Sequence, residues 1–389
     1  MSENSLRSFN TLPLFPTAVV GSLPRPLWVL DALQMYSKEY VANRRESQPD
    51  WEMNILNRQQ ANPFSKADLN EALNRGIGYV LSMQKMAGVD IVSDGEWRRR
   101  SFTEVICAGL SGFEPDILNG FVSIVTSKIE RKNMILEDEA LFLLRNCNGL
   151  FKMALPTPFL LSHRHWSQKH SASVYPRRED FIDDLIPIIA QEAVDLIRLG
   201  VPYIQFDDPG LCLLVDKNYQ SQFGDFYEEL DVATSSLNGL ISLIREKCDQ
   251  PEFRLGLHLC RAHRKRGIGG VGDYSSILDE VLQIDVDQYL LEFSVAEAGE
   301  YDVLEGINLG GKTIGLGIID VRTEEVRDPE IIFRNCERIF EFIEPTQLWL
   351  NPDCGFAPGS TNPIPLTECY RKLKCLSEVA LMMREKYSP

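Results

Sequence analysis

Residues 201–260 read VPYIQFDDPGLCLLVDKNYQSQFGDFYEELDVATSSLNGLISLIREKCDQPEFRLGLHLC. Two short apolar runs, Tyr203–Phe206 and Arg254–Leu259, flank a longer stretch, Glu228–Lys247, with apolar residues at helical spacing. Strand, helix and strand in that order imply parallel pairing, because a parallel crossover needs a long connection. The alternation continues outward in both directions. Strand-like segments Ala18–Ser22, Asp90–Asp94 and Phe151–Leu155 precede this unit, and Gln288–Phe293, Thr313–Ile319 and Leu348–Asn351 follow it. Helical patterns lie between them at Lys66–Met86, Arg178–Leu199, Tyr274–Leu282, Pro329–Ile343 and Pro365–Tyr387. Eight such strands suggest an α/β chain closed into a (β/α)8, or TIM, barrel, with an open doubly wound sheet as the competing arrangement. Two insertions interrupt the pattern. Residues 28–63 form an N-terminal polar insert expected to be helical, and residues 102–148, with FVSIVTSKI, a small β-hairpin. Residues 1–389 thus read as a single barrel domain with two insertions.

The composition is that of a globular protein, 44% hydrophobic and 25% charged, which excludes a disordered or fibrous chain. No apolar run approaches the ~20 residues needed to span a bilayer. The N-terminus lacks the basic-then-apolar pattern of a secretory signal, so a cytoplasmic location is expected. A net charge of -16 disfavours nucleic acid and anionic membranes as partners. The nine cysteines are scattered and odd in number, so they read as reduced core residues, metal ligands or nucleophiles rather than a disulfide framework.

Polar residues of chemical interest cluster where the expected strands end: Ser22, Asp94 with Glu96, Asp207 with Asp208, His258 with Cys260, Glu292, Asp320 and Cys354. In a (β/α)8 barrel all strand C-termini share one face, and that face carries the chemistry. Alternation along a strand points His258 and Cys260 to the same side. Imidazole, two thiols and the Glu292 carboxylate suit zinc, and ligands drawn from separate strands suit a catalytic site better than a closed structural one. The competing readings are buried cysteines, a core histidine, a polar turn at Asp207-Asp208-Pro209, and a salt bridge from Glu96 to Arg98, Arg99 or Arg100.

Seven segments carry a resemblance: VGSLPRP (20–26), DIVSDGEWRR (90–99), YIQFDDPGL (203–211), HLCRAH (258–263), YLLEFS (289–294), IGLGIIDVRTEEV (314–326) and LWLNPDCGF (348–356). In this order the chain resembles the catalytic barrel of the cobalamin-independent methionine synthase family, among the zinc-dependent thiol alkyltransferases. The resemblance implies a (β/α)8 barrel with Zn2+ on His258, Cys260, Glu292 and Cys354. It also implies an S-alkyltransferase in which a metal-activated thiolate attacks an alkyl donor, most simply a methyltransferase converting homocysteine to methionine. Ser22, Glu96 and Asp207 match positions that contact homocysteine in the family, and Glu96, Asp207 and Asp320 are the candidate catalytic carboxylates. A carboxylate can pair with the substrate ammonium.

Two departures bear on the donor. The family's full-length enzymes place a histidine, acting as an acid, in the loop after the seventh strand where this chain has Arg322, and arginine cannot serve as a general acid. Arg322 is therefore read as an anion-binding residue, with Asp320 as a substitute acid. The motifs cover the catalytic barrel and not the additional N-terminal barrel of full-length synthases. Methyl-folate, a methylated corrinoid protein or another electrophile is the expected donor. Joining another thiol to an epoxide, or thiol binding by a non-catalytic zinc barrel, are the alternative functions. Of the weaker signals, RAHRKR (261–266) with its glycines is an anion-site candidate, and His163, His165 and His170 suggest a surface loop.

Overall fold

The computed structural model of the chain describes residues 8–33, 50–115, 122–250, 252–261, 269–357 and 364–388. Residues 34–49 of the first insertion, and residues 262–268 of the basic and glycine-rich stretch, lie outside the described residues.

Eight strands are described: β1 (Leu110–Pro115), β2 (Ser123–Arg131), β3 (Lys152–Pro156), β4 (Tyr203–Asp207), β5 (Arg254–Leu259), β6 (Gln288–Glu292), β7 (Thr313–Ile319) and β8 (Leu348–Pro352). β1 and β2 pair antiparallel, the hairpin expected in the second insertion. The other six form one sheet in sequence order, β3-β4-β5-β6-β7-β8, with every pair parallel. β3, β6, β7 and β8 are buried along their whole length, as strands covered on both faces must be.

The helices that cover the sheet owe their limits to local chemistry. Ser65 and Asp225 accept backbone N–H bonds and start helices Lys66–Met86 and Phe226–Lys247. Gly200, at φ +115°, ends helix Arg178–Leu199 in the left-handed conformation. That helix turns Phe181, Leu185, Ile189 and Ile197 into the core. The helix expected over Tyr274–Leu282 is confined to Leu278–Val281. Tyr274 is instead drawn to the site, its hydroxyl bonding the Leu259 carbonyl at 3.3 Å.

The first two expected strands, Ala18–Ser22 and Asp90–Asp94, are reduced to isolated parallel bridges: Thr17 with Leu350, Ala18 with Ile91, and Val92 with Phe151. Backbone bonds such as Ile91 N–H to the Thr17 carbonyl at 2.9 Å hold these short bridges, and side chains extend them. Asp90 accepts the Thr17 N–H at 2.8 Å, Gln84 accepts the Ser93 N–H at 3.0 Å, and the Ser93 hydroxyl bonds the Gly21 carbonyl at 2.8 Å. Residues 16–19 and 90–92 therefore lie between the two outer strands, β8 and β3.

Candidate active site

His258 is the penultimate residue of β5, Cys260 follows the strand directly, and Cys354 follows β8 by two residues. All three are buried, and their ligand atoms lie within 4.8 Å of one another. Among the described residues this is the group of histidines, cysteines and carboxylates compact enough to hold a metal ion. His258 Nε2 is 3.2 Å from the Asp353 carbonyl oxygen. Its Nδ1 lies 3.4 Å from Asp207 Oδ1 and makes no hydrogen bond. Burial alone would lower the His258 pKa, but Cys260, Asp207 and Glu292 together push it up to about 9. The neighbouring Cys260 sulfur and burial hold the Cys354 thiol well above its usual range. The carboxylates of Asp207 and Glu292 near His258 suit a cation, and soft sulfur with nitrogen is the donor set of zinc.

Glu292, the fourth expected ligand, is fully buried at the end of β6 but stands outside this compact group. Its carboxylate accepts the Arg261 backbone N–H at 3.2 Å and faces the Arg261 guanidinium at 3.3 Å. The arginine, also fully buried, rests on the Tyr274 ring and donates to the Gly272 carbonyl at 2.7 Å. The first residue of the basic stretch thus turns inward to a carboxylate.

The expected amino-acid contacts surround the group. Glu96 is buried and has φ +59°, a left-handed conformation rare for a residue with a side chain. Strain of that kind costs ~1 kcal/mol or more and persists only where the surroundings fix it. Asp94 accepts the Glu96 N–H at 2.9 Å, and Arg25 donates to its carbonyl at 2.6 Å. A Cβ on Gly21 would sit 2.6 Å from Glu96 Oε1, so glycine there is what lets the carboxylate approach. Burial, with Asp207 and Asp94 adding repulsion, raises Glu96 to about 7, against the pull of Arg99 and Arg25. The salt bridge anticipated from Glu96 goes elsewhere, since Arg99 pairs with Glu139 at 2.8 Å.

Ser22 is buried, and its hydroxyl accepts the Ala357 N–H at 3.3 Å. Gly355, next to Cys354, packs so closely on the Ser22 hydroxyl that a Cβ would collide with it. Asp207 accepts from Gln205 Nε2 at 2.6 Å. Contact thus runs from Glu96 through Gly21 and Ser22 to Gly355 and Cys354, and from His258 to Asp207. Asp208 points away, capping helix Pro209–Leu213 through the Leu211 N–H at 2.8 Å.

After β7, Arg322 Nε donates to Asp320 Oδ1 at 2.9 Å, and Nη2 faces Asp353 at 3.4 Å. Asp320 and Arg322, read from sequence as acid and anion site, are thus partners of each other. Asp353 escaped the sequence reading. It is fully buried and accepts the N–H groups of Phe293 and Ser294 and the Ser294 hydroxyl, clasping the ends of β6, β7 and β8. Its place beside Cys354 in NPDCG was the available signal. The histidine-rich stretch is helical rather than a loop: His163 pairs with Glu229 at 3.2 Å, and buried His165 bonds the Ser123 carbonyl at 2.8 Å.

The sequence model described as "Cobalamin-independent synthase, Catalytic domain" matches residues 49–380. The chain belongs to the cobalamin-independent synthase family. Methionine synthase of Pyrococcus abyssi is 28% identical over 352 residues, 88% of this chain and 87% of that protein. The Saccharolobus solfataricus methionine synthase is 26% identical over 386 residues and covers 96% of each. Among solved structures, a B12-independent methionine synthase of a Shewanella species, in complex with selenomethionine, superposes with a TM-score of 0.72 at 21% identity, over 96% of this chain and 98% of that one. A Listeria monocytogenes protein described as a putative vitamin-B12-independent methionine synthase gives 0.69 at 21% identity, over 98% and 100%. These likenesses place the chain on the α/β fold of the family, with its parallel sheet, and its homologues are methyltransferases of methionine biosynthesis. No helix among the described residues is long and apolar enough to cross a membrane.

Proposed function

We propose that this chain is a zinc-dependent S-methyltransferase that converts homocysteine to methionine on a closed (β/α)8 barrel. The observation that carries the reading is the convergence of His258, Cys260 and Cys354 within 4.8 Å in a buried site. Closure is supported by the bridges of residues 17–18 and 91–92, which supply two short members between β8 and β3.

The ligands would be His258, Cys260 and Cys354, with Glu292 as the fourth once its carboxylate turns from Arg261. Zinc bound there would supply a Lewis acid that keeps the substrate thiol ionised at neutral pH. The remaining work falls to the protein. Glu96 and Asp207 bind the ammonium of the amino acid, and Ser22 with nearby backbone amides binds its carboxylate. Together they orient the sulfur for in-line attack on the methyl carbon. Burial excludes water from the nucleophile.

Arg322 bears on the donor. It stays protonated and is engaged by Asp320 and Asp353, so a leaving group that departs without taking a proton fits this site best. A methylated corrinoid protein is such a donor, and another electrophile acting on a different thiol is the alternative. Purified protein is expected to hold one zinc per chain and to methylate homocysteine with one of these donors. Cys260→Ser is expected to abolish both while leaving the circular dichroism spectrum intact. Full activity in metal-free protein would refute the reading.

A further inference from the structure

Lys152 opens β3 with its side chain 1% exposed, in a strand otherwise made of apolar residues. Among the described residues no carboxylate lies within ion-pair distance of it. Its ammonium donates to Gln205 Oε1 at 2.6 Å and lies 5.5 Å above the Tyr203 ring. Gln205, fully buried on β4, passes the interaction on, with Nε2 donating to Asp207 Oδ1 at 2.6 Å. The register explains the reach. Lys152 pairs with Tyr203, Ala154 with Gln205 and Pro156 with Asp207. Alternation puts Tyr203, Gln205 and Asp207 on one face of β4, and small Ala154 leaves room for the lysine to extend along it.

An ammonium can only donate, so it fixes which end of the Gln205 amide it meets. With Oε1 held by Lys152, the Nε2 donor must face Asp207. An amide turned the other way would present its oxygen to the carboxylate and repel it.

We propose that Lys152 is a remote positioning residue that, through Gln205, locks Asp207 in the orientation that receives the ammonium of the substrate amino acid. This rests on the reading of Asp207 given under the proposed function. The position is costly to maintain. Burial pulls the Lys152 pKa down to about 7, partly offset by Asp207, and an apolar side chain of the same length would fill the space without that cost.

The test uses zinc-loaded full-length protein and calorimetric titration with homocysteine and with 4-mercaptobutanoate, the same thiol without the amino group. Lys152→Met is expected to weaken homocysteine about tenfold, to leave 4-mercaptobutanoate unchanged, and to retain one zinc per chain. Gln205→Met is expected to show the same selective loss, and the double variant no more than either alone. Equal weakening of both thiols, or a Lys152→Met protein that discriminates as the wild type does, overturns the role of Lys152 alone. A wild type that binds homocysteine no better than the amino-free thiol overturns the assignment of Asp207, and the proposal with it. If Lys152→Met does not fold, the Gln205→Met titration decides by the same criteria.

Discussion

Glu96 combines a left-handed backbone, burial and a carboxyl that gains its charge only near pH 7. Its folded value exceeds the ordinary 4.5, so ionisation disfavours the ligand-free fold, and that contribution to stability falls away as pH rises from about 4.5 to 7. A bound ammonium has the opposite preference, since it attracts the carboxylate and not the acid. Methionine, which has no thiol to confuse the titration, is therefore expected to bind about tenfold more weakly at pH 6 than at pH 8. Glu96→Gln should be weaker throughout and nearly flat, and calorimetry at the two pH values checks both. At this scale the sequence was informative where chemistry and position coincide. His258 and Cys260 share a direction because strands alternate, and Cys354 joins them in space. The partnership of Glu292 with Arg261 was not legible, because nothing in HLCRAH says that the arginine turns inward. Nor was Lys152, a cation hidden in a run that reads as core.

Strands β3 to β8 and the long helices follow from periodicity, because each buries a regular apolar face. The two N-terminal strands were legible as buried segments but not as bridges. Their few backbone ladder bonds are supplemented by Asp90, Gln84 and Ser93, and such side-chain contacts leave no periodic trace. The second insertion has a structural task of its own. Glu139, on its helix Glu137–Asn146, meets Arg99 just beyond the Glu96 turn, and Arg99 also donates to the Ala154 carbonyl of β3 at 2.7 Å. Both side chains are buried, so deleting one strands the other's charge. Glu139→Ala is expected to destabilise the protein by about 3–5 kcal/mol, read from urea unfolding. It should also weaken amino-acid binding, since the Glu96 turn loses a support, whereas an unchanged unfolding midpoint would count against the pair as an anchor.

For the whole molecule, an excess of acidic charge and a buried group of sulfur and nitrogen ligands point the same way, toward a small cationic partner rather than a polyanion. Metal that binds only the folded state raises its stability by mass action, by about 2.7 kcal/mol at a hundredfold excess over Kd. Chelation is accordingly expected to lower the melting temperature of the wild type by several degrees and to leave Cys354→Ser unmoved, which thermal scans with and without chelator will show. The nine cysteines are free in the structure, and all but Cys248 are buried. The bridges at Thr17 and Ala18 have a different consequence. Ala18 donates to the Leu350 carbonyl, and Arg384 on the last helix bonds the carbonyls of Leu14 and Phe15. These N-terminal residues thus find part of their partners far along the chain, on β8 and on the helix that carries Arg384. Residues 17–19 can meet Asp90 and Ile91 early, but a chain that stops before Leu350 leaves the Ala18 N–H without its β8 acceptor and the Leu14 and Phe15 carbonyls without Arg384.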